Sequence, residues 1–168
     1  MLPKAGRTTG NRDRTPINMT LYQQILWGSV FLGLCLVLQI TFLAFSEMAM
    51  DKISERLKGK SRVRHVIVAF VLALVFIVTS HTAQVWTWAS VYVAFDVLPD
   101  WNSAIYFSLV TYTSLGYGDI VLAPGMRIFA GFAAVTGMLG FGISTAYLIS
   151  LMNSLPARPG RRNPLSGR

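Results

Sequence analysis

Charge is scarce in this sequence. Asp, Glu, Lys and Arg make up 13% of its 168 residues, where a soluble domain carries about a quarter, and the deficit implies that much of the surface faces lipid. Acidic residues number only seven and lie scattered, which leaves no paired-carboxylate site. The single cysteine, Cys35, sits inside an apolar run, so an intrachain disulfide is excluded. Two histidines, His65 and His81, together with that thiol give no metal-ligand spacing of the zinc kind. A Ser/His/Asp arrangement and a phosphate-binding loop are missing as well. No enzyme activity and no cofactor are expected.

What charge there is lies mostly in three basic clusters. The net charge is +8, with Lys4, Arg7, Arg12 and Arg14 near the start, Lys52, Arg56, Lys58, Lys60, Arg62 and Arg64 in one connecting stretch, and Arg158, Arg161, Arg162 and Arg168 at the end. Clusters separated by long uncharged runs are the pattern of a membrane protein with basic loops, and no nucleic-acid partner is expected. Hydrophobic residues make up 53% and the mean hydropathy is +0.50. They concentrate in runs over about 21–46 (interrupted mainly by Gln23, Gln24 and Gln39), from His65 to Phe95, and from Met126 to Met152. Each run is long enough, at about 1.5 Å per residue, to span a hydrocarbon core of about 30 Å. A signal peptide does not account for the first, whose apolar region exceeds twenty residues against about 7–15 for such segments. An interfacial helix is the other reading of that run.

Residues 97–124, between the second and third runs, are too short and too polar for another span. Pro99-Asp100 signals a turn, and Asp100 predicts a cap for a short helix from Trp101 to about Tyr112. A glycine-punctuated stretch follows, and Pro124-Gly125 breaks it. A short helix and extended backbone between two spans make a re-entrant loop. Such backbone at membrane depth is tolerated only where it is buried in protein or lines a watery path, so the segment predicts a pore.

The loop reads Thr111-Tyr112-Thr113-Ser114-Leu115-Gly116-Tyr117-Gly118-Asp119. It resembles the Thr-x-x-Thr-x-Gly-Tyr-Gly-Asp signature of the potassium channel family, and about residues 65–153 resemble that family's two-helix pore module. The resemblance implies an all-α membrane protein with three transmembrane helices, a pore helix and a selectivity-filter loop. Its parts would be a flexible tail over 1–20, a first transmembrane helix over 21–46, a basic cytoplasmic loop over 47–64, the pore module over 65–153 and a basic cytoplasmic tail over 154–168. K+ would bind backbone carbonyls from Ser114, Leu115, Gly116, Tyr117 and Gly118, contributed by four identical loops. One chain holds one such loop, so the working unit implied is a homotetramer conducting K+ passively. Glycine at 116 and 118 fits backbone angles that side chains resist. The filter's support is expected from Thr111, Thr113, Asp119, Tyr106 and Phe107. Tyr117 is expected to pack into a wall of Tyr106 and Phe107, and Asp119 to anchor the outer end.

This sequence departs from the common pattern at three points. Ser114 and Leu115 stand where Thr and Val are frequent, and Val110 where some relatives carry a Glu that pairs with the filter-end Asp. Asp119 then needs another partner, the Trp101 indole or a water. Gly137 falls mid-span in the last helix, at a position read as hinge or as close contact. Phe141, Thr145 and Ile149, at a spacing of four, are candidates for cavity lining or for an ordinary helix contact. His81 is an ionisable residue inside a span, read either as a pH sensor or as a neutral side chain hydrogen-bonded to the pore helix, with Trp86 and Trp88 at the outer interface.

The family's topology puts the segment 46–64 and the C-terminal tail in the cytoplasm, ten basic residues in all, and the N-terminal tail with four outside. A multi-pass location in a bacterial plasma membrane is expected. Anionic lipid is a candidate partner for the basic stretch, beside the plainer reading of a solvated flank. No span carries Arg or Lys at every third position, and about sixteen residues follow the last helix. Neither a voltage sensor nor a ligand-binding domain is expected, which leaves an ungated pore, gating at the filter, or control by lipid, tension or a separate regulatory partner. The alternatives are a weakly selective cation channel and a non-conducting accessory subunit.

Overall fold

A computed structural model describes residues 19–56 and 61–154. Every regular element among them is helical: α1 Leu21–Arg56, α2 Arg62–Ala94, α3 Trp101–Tyr112 and α4 Arg127–Ser154, the last preceded by a 3-10 turn at Pro124–Met126. Three of them, α1, α2 and α4, are long and apolar enough to cross a membrane. With the short α3 between α2 and α4, this is the all-α architecture expected. Most of the tail expected over 1–20, the centre of the basic loop at 57–60 and the tail over 155–168 lie outside the described residues.

The end of α1 differs from expectation. The helix continues through Arg56, so the backbone over 47–56, expected as loop, is helical. The stretch Glu47-Met-Ala-Met-Asp-Lys-Ile-Ser-Glu-Arg56 contains no Gly or Pro and is rich in strong helix formers. A drop in apolarity marks where hydrocarbon ends, which is not where a helix must end. At about 1.5 Å per residue the 36 residues of α1 reach about 54 Å, well beyond a hydrocarbon core of about 30 Å. Its start is set by a reciprocal cap. The Thr20 N–H donates to Gln23 Oε1 at 3.0 Å, and the Gln23 N–H to Thr20 Oγ1 at 3.4 Å.

From there α1 runs parallel to α4, and polar contacts mark the alignment at three levels. Gln24 Oε1 accepts from the Ile128 and Phe129 N–H groups at 3.2 and 3.4 Å, satisfying the free donors of α4 from a different helix. Gln39 Nε2 donates to Ser144 Oγ at 2.8 Å, and Tyr147 donates to Ser46 Oγ at 3.0 Å. An element aligned with α4 over this length runs with the other long helices, not across them.

The core between the helices is aromatic. Trp88 and Tyr92 of α2 and Phe129 of α4 are fully buried, with Trp88 and Phe129 centred 5.4 Å apart. Phe31 of α1 meets Phe129 at 6.0 Å, and Phe107 of α3 meets Tyr92 edge-on at 5.2 Å. Trp88, expected at the outer interface, is therefore a core residue. Its helical register groups it with buried Gln84, Val85 and Tyr92. Trp86 points away, half-exposed against Trp101 at 6.0 Å.

A Schellman motif stops α2. Asp96 takes a left-handed φ of +51°, its N–H donates to the Val93 carbonyl at 3.0 Å, and the Val97 N–H to the Tyr92 carbonyl at 2.9 Å. The chain turns through Pro99, and Asp100 starts α3 by accepting the Ser103 N–H at 2.9 Å and the Ser103 hydroxyl at 2.8 Å.

Candidate functional site

The same device ends α3, and here it also begins the glycine-punctuated loop. The Leu115 N–H donates to the Val110 carbonyl at 3.0 Å and the Ser114 N–H to the Thr111 carbonyl at 2.9 Å, with Ser114 in the left-handed position at φ +59°. That position usually holds glycine, and a side chain there costs about 1–2 kcal/mol. The Gly116 N–H reaches the same Val110 carbonyl at 3.2 Å. Positive φ then recurs at every second residue, +53° at Gly116 and +77° at Gly118, while Leu115 and Tyr117 stay negative. In an ordinary strand successive carbonyls face opposite ways. Reversing the hand at alternate residues turns alternate peptide planes over and lets successive carbonyls face one side. A row of oxygens on one side is what a dehydrated cation requires.

The far end of the loop is tied to the same short helix. The Tyr106 hydroxyl donates to Asp119 Oδ2 at 2.6 Å. Tyr106 and Val110 lie about one turn apart on α3, so one helix holds both ends of the loop. Asp119 is thus partnered by Tyr106 and not by Trp101, which packs on Trp86. Trp101 stands at the first turn of α3, whereas the phenol of Tyr106 reaches the level where the loop ends.

The bond from Tyr106, aided by backbone N–H groups, holds the Asp119 carboxyl below the usual carboxylate range. A carboxyl whose folded pKa is depressed contributes stability that is present above its unfolded value, about 3.9, and is lost as pH falls through the folded value. Tyr106→Phe is therefore expected to move the Asp119 titration up toward the ordinary range, read by NMR of labelled carboxyl carbon. An unmoved midpoint would show that the tyrosine does not set it.

The other predicted residues are placed as follows. Tyr117 is 67% exposed and Phe107 packs on Tyr92, so within one chain the expected aromatic wall does not close around Tyr117. The Thr113 hydroxyl donates back to the Leu109 carbonyl at 2.8 Å, and Thr111 is half-buried. A Cβ at Gly137 would overlap the Tyr112 carbonyl, so this glycine is where α4 crosses the end of α3. Phe141 turns toward His81 and Tyr112, with ring centres 4.7 and 5.8 Å away. Thr145 and Ile149 are exposed, and Phe141 is itself 44% exposed. His81 lies between two hydroxyls, Nδ1 at 2.7 Å from Tyr112 and Nε2 at 3.1 Å from Ser144.

Sequence reasoning did not select Tyr112, Ser80, Gln84 or Ser144, all buried beneath the loop. Gln39 it noted only as an interruption. For Ser80, Gln84, Ser144 and Gln39 the signal is a polar side chain inside an apolar span, which lipid cannot hydrogen-bond and another helix must.

Comparison with known proteins bears on the same region. A family described as ion channel matches residues 65–154, from α2 through the loop to the end of α4 and over half of the chain; α1 lies outside the match. No curated protein and no solved structure gives a match. With its three apolar helices and this match, the chain is a multi-pass membrane protein that belongs to the ion channel family.

Proposed function

We propose that four copies of this chain surround an axis and conduct K+ passively, with the carbonyls of Ser114, Leu115, Gly116, Tyr117 and Gly118 as the ion sites. The observation that carries this reading is positive φ at 114, 116 and 118 in a loop held at both ends by one helix. Residues 113–119 are exposed in a single chain, and one loop supplies one oxygen per level where a K+ site draws on four loops. Neighbouring copies meet both needs. The C-terminus of α3, the negative end of its dipole, lies at the start of the loop and favours a cation there. The serine at 114 and leucine at 115 keep the backbone carbonyls, so preference for K+ is retained.

The filter end of the module faces outside, and the basic stretch 52–64 and the C-terminal tail face the cytoplasm of a bacterial plasma membrane, with the N-terminus outside. Phe141, Thr145 and Ile149 are exposed and line the cavity below the filter.

The test is the zero-current potential of purified protein in a planar bilayer with K+ on one side and Na+ on the other. The expected result is a strong shift toward the K+ equilibrium value. A value near zero with real current would make this a weakly selective cation channel. Tetramers without current under any condition would favour an accessory subunit.

A further inference from the structure

Gln39 belongs to α1, outside the residues that match the ion channel family, yet it is fully buried and connected to the base of the loop. Counting protons shows how. Tyr112 has one hydroxyl hydrogen and donates it to Gln84 Oε1 at 3.2 Å. The 2.7 Å contact between Tyr112 and His81 is then donated by Nδ1 of the histidine. A neutral imidazole carries one N–H, so Nε2 accepts, and the Ser144 hydroxyl 3.1 Å away donates to it. Ser144 Oγ accepts in turn from Gln39 Nε2 at 2.8 Å. Gln84 Nε2 donates to Gln39 Oε1 at 2.5 Å and closes the ring. Five side chains from four helices donate in one sense around this circuit. Ser80 adds a further donor to Gln39 Oε1 at 2.8 Å.

We propose that Gln39 is a positioning residue for the loop 114–118, acting through Gln84 and Tyr112; this rests on the conduction reading above. The amide of Gln84 has two ends of nearly the same shape. Gln39 is the acceptor that fixes its nitrogen toward α1 and so presents its oxygen to Tyr112. Without Gln39 neither orientation is preferred, and the buried Gln84 nitrogen loses its acceptor. Tyr112 is the ring's one member on α3 and the last residue of that helix, two before Ser114. A loosened Tyr112 loosens the turn in which Leu115 and Gly116 share the Val110 carbonyl. Bonds in such a circuit polarise one another, so one break weakens the rest.

The test uses the full chain in lipid vesicles, with Gln39→Met (similar volume, no amide) and Ser144→Ala, which cuts the ring at another joint and leaves α1 unchanged. Gln24→Leu is the control, since it removes another buried α1 amide that does not touch the ring. Exchange of the Leu115 and Gly116 N–H groups is expected to rise about tenfold in both ring variants, the scale of one lost buried hydrogen bond, and not in the control. The K+ over Na+ permeability ratio falls with it. In a Tyr112→Phe background Gln39→Met adds nothing further. Unchanged exchange in the ring variants, or an equal rise in Gln24→Leu, would overturn the proposal. A parent protein that does not prefer K+ would sink the conduction reading alone, because exchange at 115 and 116 judges the positioning role separately.

Discussion

Gly137→Ala is expected to break the junction of α3 and α4 and lower the thermal unfolding midpoint by about 10 °C, or leave no folded protein. A Cβ there runs into the Tyr112 carbonyl, with the Tyr112 carbonyl carbon at 2.9 Å and its ring carbon at 3.2 Å. The obstacle is backbone at the end of a helix, which cannot swing aside as a long side chain would. Overpacking typically costs about 1–3 kcal/mol and more where nothing yields, and a chain of this size loses about 2–4 °C per kcal/mol. Gly33 is the comparison, because a Cβ at that position meets nothing within 4 Å. Gly33→Ala should raise the midpoint by about 2–4 °C and in no case lower it, since helix propensity favours alanine over glycine by about 1 kcal/mol. A Gly137→Ala protein as stable as its parent but altered in opening would return this glycine to the hinge role.

Gly116→Ala should do the opposite, sparing the fold and damaging the function. Nothing lies within 4 Å of a Cβ at Gly116, but its φ is +53°. An L-residue held there costs about 1–2 kcal/mol, so four loops of a tetramer would carry about 4–8 kcal/mol of strain. The loop escapes by rotating residue 116 to negative φ, which turns its carbonyls out of the row. The expected outcome is an intact assembly on gel filtration with K+ over Na+ selectivity reduced at least tenfold. Full selectivity with alanine at 116 would mean that the alternating backbone is not what coordinates the ion.

These two glycines mark what the sequence makes legible and what it does not. The turn at Pro99-Asp100, the short helix after it and the special backbone at 116 and 118 are local features, written in residues that stand next to one another. So are the three long apolar runs, although apolarity misplaced the end of α1 by missing the helix formers beyond Ser46. Ser114 in the left-handed position was not legible, since serine seldom adopts it and only the folded turn requires it. The choice between hinge and crossing at Gly137 depended on a carbonyl 25 residues away in sequence. Gln39 finds its partners 41, 45 and 105 residues away, and spacing along the chain says nothing about such pairs. The partner of Asp119 was missed for a simpler reason. The sequence offers an indole or a water by type alone, whereas reach along α3 favours Tyr106.

The partners of Gln39 also set an order of assembly. As α1 enters the bilayer its amide has no helix to bond with, and the bare group is costly in hydrocarbon. Once α2 is in place, Ser80 and Gln84 satisfy the oxygen. The nitrogen waits for Ser144, on the last helix to be made, and so does Gln24, whose oxygen caps the start of that helix. A nascent chain halted before α4 therefore holds in lipid a Gln39 amide nitrogen whose partner, Ser144, has yet to be made.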